Sequence, residues 1–236
     1  MPTRYRAIST ATEHFPFPKR DDTTVLIPAA GAGQRLGLGP KALLTLDDEP
    51  LLSWVSRKAL RFSTDVAVAA PPGEAANYQK LCPGCHCIEG GATRAESVAL
   101  LVRQSRRKFV LIADVARPFA TLELYRAVLN AARGRGAAGA FLRPDVPVAR
   151  IVNNRVTQTF RRDDVGIFQG PHAFSRTLLL ELVKRADSEG WHEQSTLELA
   201  LRAGIDVGVI PGEKTNIKLT SLEDWRSAQY LTEFLR

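Results

Sequence analysis

Thr24-Val25-Leu26-Ile27-Pro28-Ala29-Ala30-Gly31-Ala32-Gly33-Gln34-Arg35-Leu36-Gly37-Leu38-Gly39-Pro40-Lys41 reads as a buried strand running into a glycine-rich loop. Val25-Leu26-Ile27 at its centre is the short apolar run of a buried strand. In open α/β sheets ligands bind beyond the carboxyl ends of the strands, where this loop lies. Gly31, Gly33, Gly37 and Gly39 let backbone amides approach an anion closely, and successive N–H groups there form an anion nest. Arg35 and Lys41 add full positive charges. Two familiar phosphate motifs fail. The dinucleotide fingerprint needs a third glycine where Leu36 stands, and the P-loop is broken by Pro40 before Lys41 and by Ala42 after it. The plain alternative is a flexible connector bearing surface charges.

Outward from this loop, strand and helix alternate. Apolar spacing predicts a helix over Leu51–Phe62, a strand at Val66–Ala70 and a short helix at 74–81. Cys87–Glu89 leads into Gly90-Gly91, and a helix follows from about Thr93 to Gln104. Lys108–Ala113 is the clearest buried strand, with Asp114 at its carboxyl end; a helix at Leu122–Arg133 and a strand at Ala137–Leu142 follow. Residues 147–161 alternate around Asn153-Asn154, a pair that tolerates positive φ, so a β-hairpin is expected there. Helices are expected to resume at Phe174–Glu189 and Gln194–Ala203, then a strand at Val207–Ile210 and a helix at Leu222–Leu235. The fold class is α/β: a Rossmann-like, mostly parallel sheet with helices on both faces and a protruding β-arm. The expected organisation is a polar tail over 1–22 and one domain over 23–236, with the arm inserted at about 145–165.

Composition narrows the function classes. With 44% hydrophobic and 24% charged residues over 236 positions, the chain is an ordinary globular protein large enough for a core without disulfides. No stretch approaches the roughly 18 apolar residues of a membrane span. The start lacks a signal-peptide core, so a cytoplasmic location is expected. A net charge of +7 raises nucleic acid as a partner, but the 32 basic residues are dispersed among 25 acidic ones. No nucleic-acid-binding motif accompanies them, and a small polyanionic substrate explains the local basic clusters better.

The stretch from Pro28 to Gly37 followed by Pro40-Lys41 resembles the signature loop of nucleotidyltransferases that load sugar or polyol phosphates onto a nucleotide. Within them it is most similar to the 2-C-methyl-D-erythritol 4-phosphate cytidylyltransferase family of the non-mevalonate isoprenoid pathway. The resemblance covers residues 23–236. Further segments match in order: Gly90-Gly91-Ala92-Thr93-Arg94 with Ser97-Val98, Asp114-Val115-Ala116-Arg117-Pro118, Arg162 to Pro171, and Asn216-Ile217-Lys218-Leu219-Thr220. The resemblance implies the nucleotide-diphospho-sugar transferase type of fold and a transfer from CTP to a polyol phosphate with release of pyrophosphate. It implies that Arg35 and Lys41 hold the triphosphate, and that Arg162 and Lys218 orient the substrate phosphate. Ala29, Ala30, Gly31, Ala32, Gly33, Gly91, Ala92, Arg94 and Ser97 would contact the nucleotide. Asp114 and Arg117 would lie where nucleotide and substrate meet. It further implies Mg²⁺, with Asp114 as candidate ligand, and a homodimer in which the arm's Arg162 reaches the partner's site. The attacking phosphate is already ionised near neutral pH, so no general base is required.

Each residue also has a plainer reading. Asp114 could cap a turn, Arg162 could belong to a solvated charge run, and Arg94 and Ser97 could lie on a helix's solvent face. The chain departs from the family at Ala42, Ala113, Gly170-Pro171-His172, Trp191-His192-Glu193 and Asp145-Val146-Pro147-Val148. These departures bear on the polyol phosphate more than on nucleotidyl transfer. They keep open another substrate such as ribitol 5-phosphate, another nucleotide, or a nucleotide-binding homologue without turnover. The cluster Cys82-Pro83-Gly84-Cys85-His86-Cys87 raises zinc or redox chemistry, but its ligands crowd into six residues, and incidental thiols are the simpler expectation.

Overall fold

The computed structural model describes residues 18–31, 33, 37–193 and 195–234. Eleven strands and seven α-helices occur among them, with two 3₁₀ turns at Lys41–Leu43 and Arg162–Asp164. The strands are β1 (Arg20–Pro28), β2 (Thr45–Leu46), β3 (Glu49–Pro50), β4 (Ser63–Ala70), β5 (His86–Glu89), β6 (Phe109–Ile112), β7 (Ala137–Leu142), β8 (Val148–Val152), β9 (Arg155–Phe160), β10 (Ile167–Ser175) and β11 (Gly208–Pro211). The helices are α1 (Leu51–Phe62), α2 (Ala75–Leu81), α3 (Arg94–Gln104), α4 (Leu122–Arg135), α5 (Arg176–Glu189), α6 (Thr196–Arg202) and α7 (Leu222–Phe234).

Seven strands form one sheet in the order β11-β7-β10-β6-β1-β4-β5. All neighbours are parallel except β10, which runs antiparallel to both β6 and β7. The period-2 alternation of strand side chains divides the core. Val25, Ile27 and Leu111 face the cluster shared with Leu52, Val55 and Leu129 of α1 and α4. Leu26, Val110 and Ile112 face the opposite cluster, with Leu101 of α3 and Leu179 of α5. From β1 the chain first builds β4 and β5 on one side, then crosses back to place β6 on the other. That reversal makes the carboxyl end of β1 a topological switch point, where such sheets open a crevice.

Three elements differ from the sequence expectation. The helix expected from Phe174 begins at Arg176, because Ile167–Ser175 is a strand lying inside the sheet. A proline in that run argues against a central strand, since it cannot donate to the ladder. Here Pro171 is tolerated because the register with β7 shifts between Gln169 and His172, and the Gly170–Pro171 peptide is cis. β1 also begins at Arg20, so residues 20–22 of the expected tail are strand; residues 1–17 lie outside the described set. β2 and β3 form a small hairpin over Asp47 and Asp48, both at positive φ.

The arm is as expected. β8 and β9 pair antiparallel in a two-stranded sheet of their own, and Asn153 and Asn154 take φ of 48° and 59° at the turn. Both residues at positive φ is the requirement of the tight hairpin turn that matches strand twist.

Candidate active site

A cleft of about 400 Å³ opens at the switch point. Its wall is built by the carboxyl end of β1, the turn into α3, the turn after β6 and the segment before α7. Of the residues singled out from the sequence, Ala29, Ala30, Gly31, Gly33, Lys41, Gly91, Ala92, Arg94, Ser97, Asp114 and Lys218 line it, together with Pro28, Thr93, Val115 and Ala116. Ala32 and Arg35 lie outside the described residues. Gly33 sits at φ +69°, and a Cβ there would stand 2.0 Å from the Gly39 carbonyl oxygen. The loop can therefore fold back on itself only with glycine at that position.

Asp114 is the electrostatic centre. Both Nε and Nη2 of Arg94 donate to its Oδ1, at 3.2 and 2.7 Å. The Lys218 ammonium stands 4.0 Å from Oδ2. Burial alone pushes the Asp114 carboxyl up, but Arg94 and then Lys218 outweigh it and hold the group well below the usual carboxylate range. Asp114 is thus an anion throughout the working pH range, with one oxygen committed to Arg94 and the other turned toward a cation. Lys41 Nζ donates to the Leu219 carbonyl at 2.6 Å, which places two ammonium-bearing segments on the same cleft. The Leu219 amide in turn donates to Ala116 O at 2.9 Å, tying the Lys218 segment to the Asp114 turn.

The turn before α3 is shaped from within. The Thr93 hydroxyl caps the helix by accepting from Glu96 N. Ser97 Oγ accepts from Gly91 N at 3.2 Å, and Glu96 Oε2 accepts from Ala92 N at 2.9 Å. Ser97 is itself buried, so it holds the Gly91 backbone in place from below. A Cβ on Gly91 would meet Glu96 Cβ at 2.3 Å, which is why the chain can pass so close to the helix there.

Two expected residues are placed elsewhere. Arg117 does not line the cleft. Its guanidinium turns inward, donating to Asn216 O at 2.6 Å and Phe168 O at 3.3 Å. It braces the cleft's back wall by joining β10 to the Lys218 segment. Arg162 lies exposed at the base of the arm, donating to Asp145 O at 3.1 Å, and also takes no part in this cleft. Sequence reasoning missed the polar bracing around them. Asn216 Nδ2 donates to Gly170 O at 2.7 Å, and Gln169 Nε2 donates to Glu213 O at 3.1 Å. Lys58 of α1 donates to the carbonyls of Pro118 and Ala120, and burial pushes its ammonium down to about 8. The matching Asn-Ile-Lys segment pointed to Asn216; nothing local marks Lys58, whose partners lie some sixty positions away.

His172, one of the departures from the family pattern noted in the sequence, is buried on β10, with Nδ1 3.3 Å from Thr196 Oγ1. Burial drives its pKa down to about 4 against the pull of Asp114, so the ring is neutral. Among the described residues no group of three or more His, Cys, Asp or Glu side chains converges to hold a metal. What the cleft offers a cation is a single ionised carboxylate oxygen, Asp114 Oδ2. That suits a hard ion bound mainly by phosphate and water, as Mg²⁺ commonly is.

The family model of 2-C-methyl-D-erythritol 4-phosphate cytidylyltransferase matches residues 23–233. The protein of that name from Thermus thermophilus is 38% identical over 211 residues, covering 89% of this chain and 97% of its own length. The one from Deinococcus radiodurans is 35% identical over 212 residues, covering 89% of each chain. A crystal structure of the Thermus thermophilus enzyme superposes with a TM-score of 0.77 and 33% identity over 89% of this chain and 98% of that one.

Proposed function

The chain belongs to the 2-C-methyl-D-erythritol 4-phosphate cytidylyltransferase family, and from that premise we propose that it transfers the cytidylyl group of CTP to 2-C-methyl-D-erythritol 4-phosphate. The products are CDP-methylerythritol and pyrophosphate, a step in making isoprenoid precursors. The observation that carries the reading is the convergence of Lys41, Arg94, Asp114 and Lys218 on the cleft above the 29–33 loop.

The reaction is a displacement at phosphorus. An oxygen of the substrate phosphate attacks the α-phosphorus of CTP as the bond to pyrophosphate breaks. Two polyanions must meet, so positioning and charge stabilisation dominate, and no proton need be removed from the nucleophile. Lys41 is assigned to the triphosphate and the charge that builds on the reacting phosphorus, and Arg35 to the same task. Lys218 is assigned to the substrate phosphate. Asp114 keeps Arg94 and Lys218 in register, and Ser97 and Glu96 hold the Gly91-Ala92 backbone against the nucleotide. Asp114 would help to hold Mg²⁺, which would supply neutralisation of phosphate charge when bound.

The assembly proposed is a homodimer joined through the arm. A two-stranded ribbon is marginal by itself in water, yet this one displays Ile151 at 67% exposure and Val156 at 65%. A second copy covering these side chains gives Arg162 a site to serve. No helix among the described residues is long and apolar enough to cross a membrane, and the cytoplasm, where CTP is found, is the location proposed.

The test is pyrophosphate release with Mg²⁺, offering CTP, UTP, ATP and GTP in turn, first with methylerythritol 4-phosphate and then with ribitol 5-phosphate. Release confined to CTP with methylerythritol 4-phosphate is expected. Turnover with ribitol 5-phosphate instead would transfer the reading to another polyol phosphate. No release from folded protein would leave a binding homologue.

A further inference from the structure

The chain's three cysteines fall within Cys82-Pro83-Gly84-Cys85-His86-Cys87, Cys82 and Cys85 in the turn between α2 and the edge strand β5 and Cys87 in that strand. Cys82 and Cys85 are buried and Cys87 is half-buried. The fold does not merely leave them near one another in sequence. Cys85 N donates to Cys82 O at 3.1 Å, closing the turn. The Gln79 carboxamide then clips its two limbs together, donating to Cys85 O at 3.0 Å and accepting from Cys87 N at 3.1 Å. The result brings Cys82 Sγ within 3.3 Å of Cys87 Sγ, and Cys82 also hydrogen-bonds to the Cys85 thiol. Cys82 is therefore the central sulfur of a row of three.

We propose that this turn is a site of reversible thiol oxidation, in which one intramolecular disulfide forms and Cys82 is always one of its two sulfurs. The pair with Cys87 must close by only about 1.3 Å to reach the roughly 2.0 Å of a disulfide. The Gln79 clip already holds the limbs of the turn side by side. The co-reactant is a hydroperoxide. It transfers its outer oxygen to a flanking sulfur, Cys85 or Cys87, giving a sulfenic acid and leaving as water or an alcohol. The Cys82 sulfur attacks that sulfenic sulfur; the S–S bond forms, the S–O bond breaks, and the departing hydroxide takes the thiol proton to leave as water. The two thiols give up two electrons and two protons in all.

The thiols' acidities fit a slow, protective pair. The hydrogen bond to Cys85 comes first in pushing the Cys82 thiol up to about 12, while the same bond pulls Cys85 down. Cys82 also caps the carboxyl end of α2, the helix end that disfavours a thiolate. Closure is accordingly expected to speed up as pH rises.

The experiment treats the folded protein with hydrogen peroxide or tert-butyl hydroperoxide, alkylates the remaining thiols and digests with trypsin. No Lys or Arg lies between the cysteines, so all three fall in the peptide from Leu81 to Arg94. The free thiol count is expected to fall from three to one, and the peptide to lose two hydrogen masses, restored by dithiothreitol. The single alkyl label is expected on Cys85 or Cys87 and never on Cys82. Cys82→Ser is expected to form no intramolecular disulfide, while Cys85→Ser and Cys87→Ser each still form one. A label on Cys82, retention of three free thiols, or disulfides between chains would overturn the proposal. The labelling pattern of the unsubstituted protein decides the matter even if Cys82→Ser fails to fold.

Discussion

At the scale of single residues, the cleft works by keeping charges fixed rather than by titrating them. Asp114 is held ionised by Arg94 and Lys218, and Lys41 is aimed across the cleft by its bond to Leu219 O. Lys41→Ala is expected to cut the rate of pyrophosphate release by roughly 10²–10³, as the loss of one preorganised donor to a developing anion does, with folding unchanged by circular dichroism. His172 ties stability to pH in the mildly acidic range. Its folded pKa of about 4 lies below the ordinary value of 6.5. The unfolded chain therefore takes up a proton below about 6.5 that the folded chain refuses until about 4, and stability falls as pH drops through that window. His172→Gln is expected to remove that part of the acid sensitivity, roughly 3 kcal/mol across the window; urea midpoints at about pH 7 and pH 4.5 for both proteins give the comparison. At this scale the sequence showed which residues were polar or small in a matching context, and so identified the glycines, Lys41, Asp114 and Lys218. It did not show direction. Arg117 follows Asp114 by three positions, yet its head is drawn inward because the carbonyls of Asn216 and Phe168 need a donor.

At the scale of elements, helices were legible because their apolar faces recur at helical spacing, and α1 falls at the expected bounds, Leu51–Phe62. Buried parallel strands were legible as short apolar runs. β10 was not, because Gly170-Pro171 interrupts it and the bulge that excuses the proline is made with a partner strand thirty residues upstream. The arm was legible from its two asparagines, since only a turn with positive φ at both positions needs that pair. Its outer face makes a prediction at this scale. Ile151→Lys with Val156→Lys places charges where two apolar side chains are exposed. The unsubstituted protein is expected to show twice the 25.9 kDa chain mass in light scattering, and the double variant to shift toward a single chain, because charge is costly in an interface core.

At the scale of the whole molecule, the sheet order puts every cleft residue at one end of the strands, while Arg162, at the base of the arm, does not line the cleft. If each arm serves its partner, a site borrows one residue from the neighbouring chain, and damage to the cleft and damage to the arm fall on different sites. Two inactive proteins can then repair one another. Lys41→Ala chains mixed with Arg162→Ala chains are expected to regain activity on subunit exchange, up to roughly a quarter of the unsubstituted rate, since half the dimers are mixed and each holds one intact site. Neither variant alone regains it on the same treatment. A mixture that stays inactive after exchange would show that Arg162 acts within its own chain or not at all. Heredity at such a locus would carry the same signature: two defective copies of the gene, harmful singly, would partly restore the function when expressed together.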